Sequence, residues 1–483
     1  MKKRVNNWSK KKRIIMGVIG VLAMLYIGVI VWHTFKPLPE GLEFAGELHQ
    51  VENVDMIYDL SFAQNQKGTN LKHELRIFDE IYQMIEEAEE FIVIDLFLFD
   101  NYTDEEIAFP AVAETLTDKL LAKKAEDPEF PIFFITDPLN FGYGSYESQL
   151  LGTMRDEGIK VIVTDLDKLR DSTPLYSGVY RVIFQWFDAG GRGWLPNGMA
   201  SDAPDLSVSS YLKMMNIKAN HRKAVITEKE AIISSANPHN ASGLHGNMAF
   251  KVSGPVLNDI LESEEAVSLF SGGPEFPRVD APVQEGEYQV QYVTEKKVLD
   301  SLLADISKTK KGDSIHLAMF YIAEGAVVEA LTDAANRGVD VKLVLDPNEN
   351  AFGTEKTGLP NRPAVHEMLE ETDGKIQVRW YNAVVGQFHT KSIMIKTAEE
   401  SYISGGSTNY TERAFKNYNL ESNIRIIAPN DSELIGDMDD YFERLWNNED
   451  ALYTLEADAY QDTFTFWQRG IYGFQKIFKL TTY

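Results

Sequence analysis

Of the nine histidines in this 483-residue chain, two have a lysine two positions later: His221-Arg222-Lys223 and His389-Thr390-Lys391. Positions i and i+2 of a β-strand face the same side. The runs KAVIT and KSIMI that start at each lysine are apolar and β-rich, so each imidazole and its ammonium can point together into one pocket. Each pair is followed by a small-residue turn ending in asparagine, Ser234-Ser235-Ala236-Asn237 and Gly406-Ser407-Thr408-Asn409. Small residues let a ligand approach the backbone, and hydroxyl and amide groups can donate to an oxyanion. His221, Lys223, His389 and Lys391, with Ser235, Ser407, Asn237 and Asn409, therefore have the makings of one compact anion site.

The elements that must position these residues alternate between helices and apolar strands, the pattern of an α/β fold. They also repeat. In the first half an amphipathic stretch leads into FIVIDLFLFD (91–100), a helix around 111–124 and FPIFFITDP (130–138); in the second, 298–308 leads into SIHLAMFYI (314–322), a helix around 326–337 and VDVKLVLDP (339–347). The halves continue in step through ITDP and VLDP to a further helix and strand, so a duplicated α/β unit is the economical reading. From Asp137 to His221 is 84 residues, whereas Asp346 to His389 is 43, which places an insertion at about 166–210 in the first half. Its stretch 179–198 is rich in aromatics and glycine, as in a lid or substrate cap, although a disordered insert would read the same way.

Charge divides the chain unevenly. Lys+Arg number 47 against 73 Asp+Glu, for a net charge of −26, yet residues 1–13 carry seven basic side chains and residues 1–39 no acid. Residues 14–32 (IIMGVIGVLAMLYIGVIVW) are free of charge, long enough at ~1.5 Å per residue to cross a hydrocarbon core of about 30 Å. A cleaved signal peptide would have a shorter apolar region and a small-x-small site, whereas this run ends in Trp32-His33-Thr34-Phe35-Lys36-Pro37, an interfacial anchor. The expected plan is a cytoplasmic basic tip (1–13), a transmembrane helix (14–32), a stalk (33–50), a first unit (51–280), a second unit (281–450) and a C-terminal amphipathic segment (451–483), with everything beyond the span outside the cell membrane. In the C-terminal segment Trp467, Ile471, Phe474 and Phe478 recur at helical spacing beside Arg469, Lys476 and Lys479, suiting either a membrane interface or a helix docked on the core. The absence of cysteine excludes thiol nucleophiles, thiolate metal sites and disulfides. The strongly acidic body argues against a broad nucleic-acid surface.

The paired motif in duplicated halves resembles the phospholipase D superfamily, whose signature H-x-K-x4-D followed by G-S/G-x-N is present twice per active site. The resemblance covers about 50–450 and implies two pseudo-repeated units, each a mixed β-sheet flanked by helices, with the active site at their interface. The sequence departs from the signature at the acid, which is Glu228 in the first motif and Lys396 in the second, and in the His-to-Asn spacing, 16 in one half and 20 in the other. The loss at Lys396 reads as damage to a structural element more than to the chemistry. In this family a carboxylate or amide further along orients each catalytic histidine; Glu421, twelve residues after Asn409, and Asn247, ten after Asn237, stand in the right places. His239 and His245 lie near the first motif, but with no regular histidine pair or carboxylate cluster they read as turn residues. A metal-independent site without cofactor is expected.

The resemblance implies phosphodiester hydrolysis or transfer through a phosphohistidine, with His221 as nucleophile and His389 as general acid, and Lys223, Lys391, Asn237 and Asn409 on the non-bridging oxygens. The anchor favours a phospholipid substrate, for a phospholipase D or a cardiolipin-synthase-like phosphatidyltransferase. No nucleic-acid partner is expected, and a monomer suffices for a complete site. The alternatives are a nuclease of the same family, and an inactive anchored protein that binds lipid or a partner.

Overall fold

Strands buried on both faces are largely apolar, as in Ile92–Leu96 and Ser314–Met319, and each of these stands near the middle of one of two matching sets. A computed structural model of the protein describes residues 10–103, 108–187, 193–282, 285–351, 354–355 and 358–460. The first set comprises β1 (Val54–Phe62), β2 (Ile92–Leu96), β3 (Ile132–Thr136), β4 (Lys160–Val163), β5 (Lys223–Thr227), β6 (Glu230–Ser234) and β7 (Asn247–Ser253). The second comprises β8 (Tyr288–Thr294), β9 (Ser314–Met319), β10 (Asp340–Leu345), β11 (Gln377–Tyr381), β12 (Lys391–Lys396), β13 (Ser401–Gly406) and β14 (Ser422–Ala428). The spatial orders are β1-β7-β6-β5-β2-β3-β4 and β8-β14-β13-β12-β9-β10-β11, so each strand has its counterpart seven further on. In both sheets the central pair, β5 on β2 and β12 on β9, is antiparallel, and the next two pairings outward are parallel. Short edge strands extend the sheets: Lys72–Glu74 beside β1, His49–Val51 beside β8 and Thr454–Glu456 beside β11.

The helices follow the same duplication. After α1 (Lys10–Phe35), α2 (Ile77–Glu87), α3 (Val112–Glu126) and α4 (Gln149–Asp156) cover the outer face of the first sheet; α5 (Pro174–Val182) and α6 (Val208–Met214) belong to the insertion, and α7 (Val256–Phe270) follows β7. In the second half α8 (Lys296–Ser307), α9 (Gly325–Asn336) and α10 (Asn361–Glu371) cover the outer face, and α11 (Glu433–Asn447) follows β14. The apolar stripe of α2, Ile77, Ile81, Met84 and Ile85, has the i, i+4, i+7, i+8 spacing of a core-facing helix. Separate outer cores lie under α2–α4 and α8–α10. The largest core lies between the two sheets, where Ile226, Met248 and Phe250 meet Tyr292, Met394, Ile403 and Ile426 beneath α7 and α11.

Helix α1 has a mean hydropathy of 2.8 over its most apolar window and is long and apolar enough to cross a membrane. Residues 1–9 of the basic tip and the whole of 461–483, including the aromatic pattern from Trp467 to Phe478, lie outside the described residues.

Candidate functional site

Both H-x-K motifs sit where the two halves meet. The chain entering each histidine is bridged by its backbone to the other half: His221 N donates to Leu420 O (2.9 Å) and Gly246 N to Gln387 O (2.8 Å), making the bridges Asn220 with Leu420 and Phe388 with Gly246. Each bridge sets a histidine beside a polar side chain of the opposite half, Glu421 or Asn247. His221 Nδ1 lies 2.9 Å from Glu421 Oε2, and His389 Nδ1 lies 3.1 Å from Asn247 Oδ1. The sequence singles out Glu421 and Asn247 by their places after each motif and leaves open which histidine each one meets. The structure crosses the pairs, because both residues lie at the interface end of β7 and β14, and the facing half supplies the nearer imidazole.

Lys223 and Lys391 open β5 and β12 and fold back so that each ammonium donates to the carbonyl of its own histidine, at 2.8 and 2.7 Å. Each also lies over an aromatic ring, Lys223 Nζ 5.3 Å from the centre of Phe97 and Lys391 Nζ 5.1 Å from that of Phe320. The same rings stand 5.0 Å from the imidazoles of His221 and His389. The lysines are sealed, at 0% and 1% exposure, while His221 and His389 keep 9% and 7%, so the imidazoles are the more exposed of the four.

Ser235 and Ser407, expected beside substrate, are hydrogen-bonded to Asn247 and Glu421. Ser407 donates to Glu421 Oε2 (2.6 Å) and Ser235 to Asn247 Oδ1 (3.0 Å), and each hydroxyl accepts a backbone N–H, from Ser422 and Met248, at 3.0 Å. A hydroxyl has one hydrogen to give, so both serines fix the histidine partners. The side-chain oxygens of Asn237 and Asn409 are buried and have no hydrogen bond among the described residues, which leaves both amides available at matching places.

The unequal motif spacing resolves in the hairpins. Strands β5 and β6 share three cross-strand pairs, Ala224 with Ile233 to Ile226 with Ala231, whereas β12 and β13 share five, Ser392 with Gly405 to Lys396 with Ser401. Two extra pairs add four residues at the far end and leave the facing of every side chain unchanged. The two positions that depart from the signature acid, Glu228 and Lys396, belong to that far end. Glu228 accepts the backbone N–H groups of Glu89 and Glu90 in the turn before β2 (2.9 and 3.1 Å), and Lys396 pairs with Asp439 of α11.

Two aspartates that served only to mark the repeat turn out to hold the motifs. Asp137 accepts the N–H of Asn220 (2.8 Å) and Asp346 that of Phe388 (2.7 Å), one residue before each histidine. Burial pushes Asp137 up to about 7 and Asp346 to about 6. The repeated D-P and the repeated phenylalanine after β2 and β9 were the available signals for these residues. The segment that contains the insertion is closed where Asn220 Nδ2 donates to Thr164 Oγ1 (3.0 Å).

Burial weighs against the charged form of all four groups. Burial lowers His221 to about 4, against the opposing pull of Glu421, and Lys223 to about 7. It also lowers His389 and Lys391 strongly, with Lys391 acting further on His389 and Lys223 on Lys391. Cationic groups held together out of water gain from a phosphate placed among them. His239 is tied to Asp100 (3.3 Å) and Ser242 (2.9 Å), and His245 lies 5.8 Å from the His389 ring. Among the described residues no group of three or more His, Cys, Asp or Glu side chains is arranged to hold a metal ion.

Residues 302–446 match the family described as cardiolipin synthase, PLD-like domain. Phosphatidylserine synthase from Haemophilus influenzae Rd KW20 shares the fold, with a TM-score of 0.55 at 12% identity over 92% of this chain and 96% of that one. Polyphosphate kinase from Porphyromonas gingivalis aligns with a TM-score of 0.45 at 13% identity over 89% of this chain and 54% of that chain. Nuc, a phospholipase D family member from Salmonella typhimurium, gives 0.27 at 21% over 35% and 98%. These last two likenesses are too loose to bear on the fold. No curated protein sequence matches significantly.

Proposed function

For a chain that carries a phospholipase D-like domain and repeats its architecture in both halves, we propose phosphodiester hydrolysis or phosphatidyl transfer on phospholipids, through a phosphohistidine, by a membrane-anchored enzyme. The crossed pairs His221–Glu421 and His389–Asn247 carry this reading. With Nδ1–H donated to its partner, each imidazole presents Nε2 to the pocket.

Nε2 of His221 attacks phosphorus. The P–O bond to the leaving alcohol breaks, and that oxygen takes the proton from Nε2 of a protonated His389. Water or a second alcohol then gives its proton to His389 and attacks phosphorus, breaking the P–N bond and releasing His221. Glu421 favours His221 as nucleophile, because a carboxylate on Nδ1 stabilises the positive charge that the ring acquires. The amide of Asn247 gives no such support, so His389 surrenders a proton more readily. The incoming phosphodiester supplies the negative charge that raises the lowered affinity of His389 for its proton. Lys223, Lys391, Asn237 and Asn409 hold the non-bridging oxygens. Serines 235 and 407 act as positioning residues, and every group needed comes from one chain.

The reading of an inactive protein rested on Lys396 and the uneven spacing, and both belong to the far end of the hairpins. The acidic body disfavours the nuclease alternative. The anchor α1, with the basic tip in the cytoplasm and the body outside, puts the site within reach of lipid. The test is release of headgroup from labelled phosphatidylglycerol, phosphatidylethanolamine and phosphatidylcholine in vesicles, followed by acid-avoiding mass spectrometry of the trapped enzyme. A phosphoryl adduct on His221 is expected. An adduct on His389 reverses the assignment, and full turnover by His221→Ala without any adduct overturns the mechanism.

A further inference from the structure

The insertion has no counterpart in the second half, and its first helix lies against α1. Tyr26 Oη donates to Leu175 O (2.7 Å), and Tyr26 and Ile30 approach Gly178 so closely that an added Cβ would stand 2.8 and 2.6 Å from them. The loop before α5 is fastened to the end of α1: Asp171 N donates to His33 O (2.9 Å), Lys36 Nζ to Asp167 O (2.6 Å) and Arg170 Nε to Lys36 O (2.9 Å). Tyr26 lies six residues inside Trp32, about 9 Å deeper along the helix. A helix docked at that depth cannot remain in water if α1 crosses a membrane.

The outward side of this helix suits such a place. Val182 and Ile183 are nearly half exposed, and Trp186, Phe187 and Trp194 are 74%, 70% and 68% exposed. Large apolar side chains exposed within a few residues of one another, as at 182–187, mark a contact, and tryptophan favours the boundary between headgroups and acyl chains. An acidic body gains little from anionic headgroups, so attachment through apolar side chains fits its charge.

We propose that α5 and the turn Phe184–Trp186 insert beside α1 into the leaflet at the C-terminal end of that helix, with lipid acyl chains as their partner. This rests on the reading that α1 spans the membrane. The chain that follows α6 leads into His221, and on the way Arg413 of the second half donates to Ile217 O (3.1 Å). The bilayer surface is thereby joined to the strand that presents the proposed nucleophile.

The chain contains no cysteine, so single labels are unambiguous. Trp186→Cys and Phe187→Cys, with Leu22→Cys in α1 and Glu329→Cys on the distant α9, are labelled with an environment-sensitive fluorophore in the full-length protein. Each is then reconstituted in vesicles of phosphatidylglycerol and phosphatidylethanolamine. Labels at 186 and 187 should be quenched several-fold more by doxyl-lipid than the label at 329, and several-fold less by aqueous iodide. If 22 responds to doxyl-lipid while 186 and 187 behave as 329 does, the inserted surface is refuted and the anchor stands. If 22 also behaves as 329 does, the spanning reading falls and takes this proposal with it.

Discussion

The first and second H-x-K motifs share their scaffold and differ in their partners. Strands β5 and β12, the rings of Phe97 and Phe320, the carboxyls of Asp137 and Asp346, and the hydroxyls of Ser235 and Ser407 stand in matching places. Yet His221 faces a carboxylate and His389 an amide. The middle residues differ as well: Arg222 is fully buried between Glu264 and Glu295, and Glu295 also receives the backbone N–H of Glu421 (3.2 Å). The Thr390 hydroxyl makes a long contact with Tyr441 Oη (3.4 Å). Duplication thus supplies two equal imidazoles, and a few unequal neighbours set them in different surroundings.

The largest effect that separates them should come from the histidines themselves. His221→Ala should abolish turnover of every phosphodiester. His389→Ala should be equally damaging with a phospholipid but lose only about 10-fold with a nitrophenyl leaving group, which needs no proton, against the 10²–10⁴ of general acid catalysis. Equal losses on both substrates would erase the proposed difference. Glu421→Gln comes next, with a fall in kcat of about 10²–10⁴ as His221 loses its charge partner. Asn247→Asp should lose about 10-fold at most and raise the affinity of His389 for its proton, shifting the pH profile upward. If the two substitutions cost the same, partner charge does not distinguish the motifs.

A smaller effect tests the lysines. Lys223, lowered by burial to about 7, is charged below that pH and neutral above it. Thus kcat/KM should decline as pH rises through about 7. Lys223→Arg retains its charge there and should carry the limb upward at some cost in rate, whereas an unmoved limb would assign the lost proton elsewhere.

Much of this arrangement is legible in the sequence because it is written twice. His221 and His389, their lysines, the asparagines and the insertion all emerge from comparing one half with the other. The same comparison hides what joins the halves. Glu421 and Asn247 are visible as residues, but their crossing depends on the bridges of Leu420 to Asn220 and Gly246 to Phe388, pairings that no local pattern encodes. The serines illustrate a second limit, since a hydroxyl beside a pocket serves ligand or neighbour equally well until its hydrogen bonds are known. Asp137 and Asp346 could have been singled out, because a repeated acid at the end of a buried strand must find donors, and the loop entering each motif provides them. For the insertion, aromatic and glycine content suggested a lid, and only the contact of Gly178 with Tyr26 and Ile30 places its helix beside α1.

The smallest expected effect concerns the residue that departs most openly from the family signature. Lys396 closes the longer hairpin, two cross-strand pairs beyond the end of the shorter one, and its ammonium meets Asp439 on α11 while both side chains remain about a third exposed. An ion pair in that setting is worth about 0.2–1 kcal/mol. Lys396→Met should therefore lower the urea midpoint slightly and leave kcat/KM within about twofold. Lys396→Asp, which restores the acid of the signature, should be worse, because it sets a third carboxylate beside Asp439 and Glu443 on the same face of α11. A large gain in turnover from Lys396→Asp would mean that the acid acts on the chemistry, and that the second motif is impaired as it stands. A loss confined to stability instead separates the far end of the hairpin from the end that carries His389, with the five strand pairs between them holding the one independent of the other.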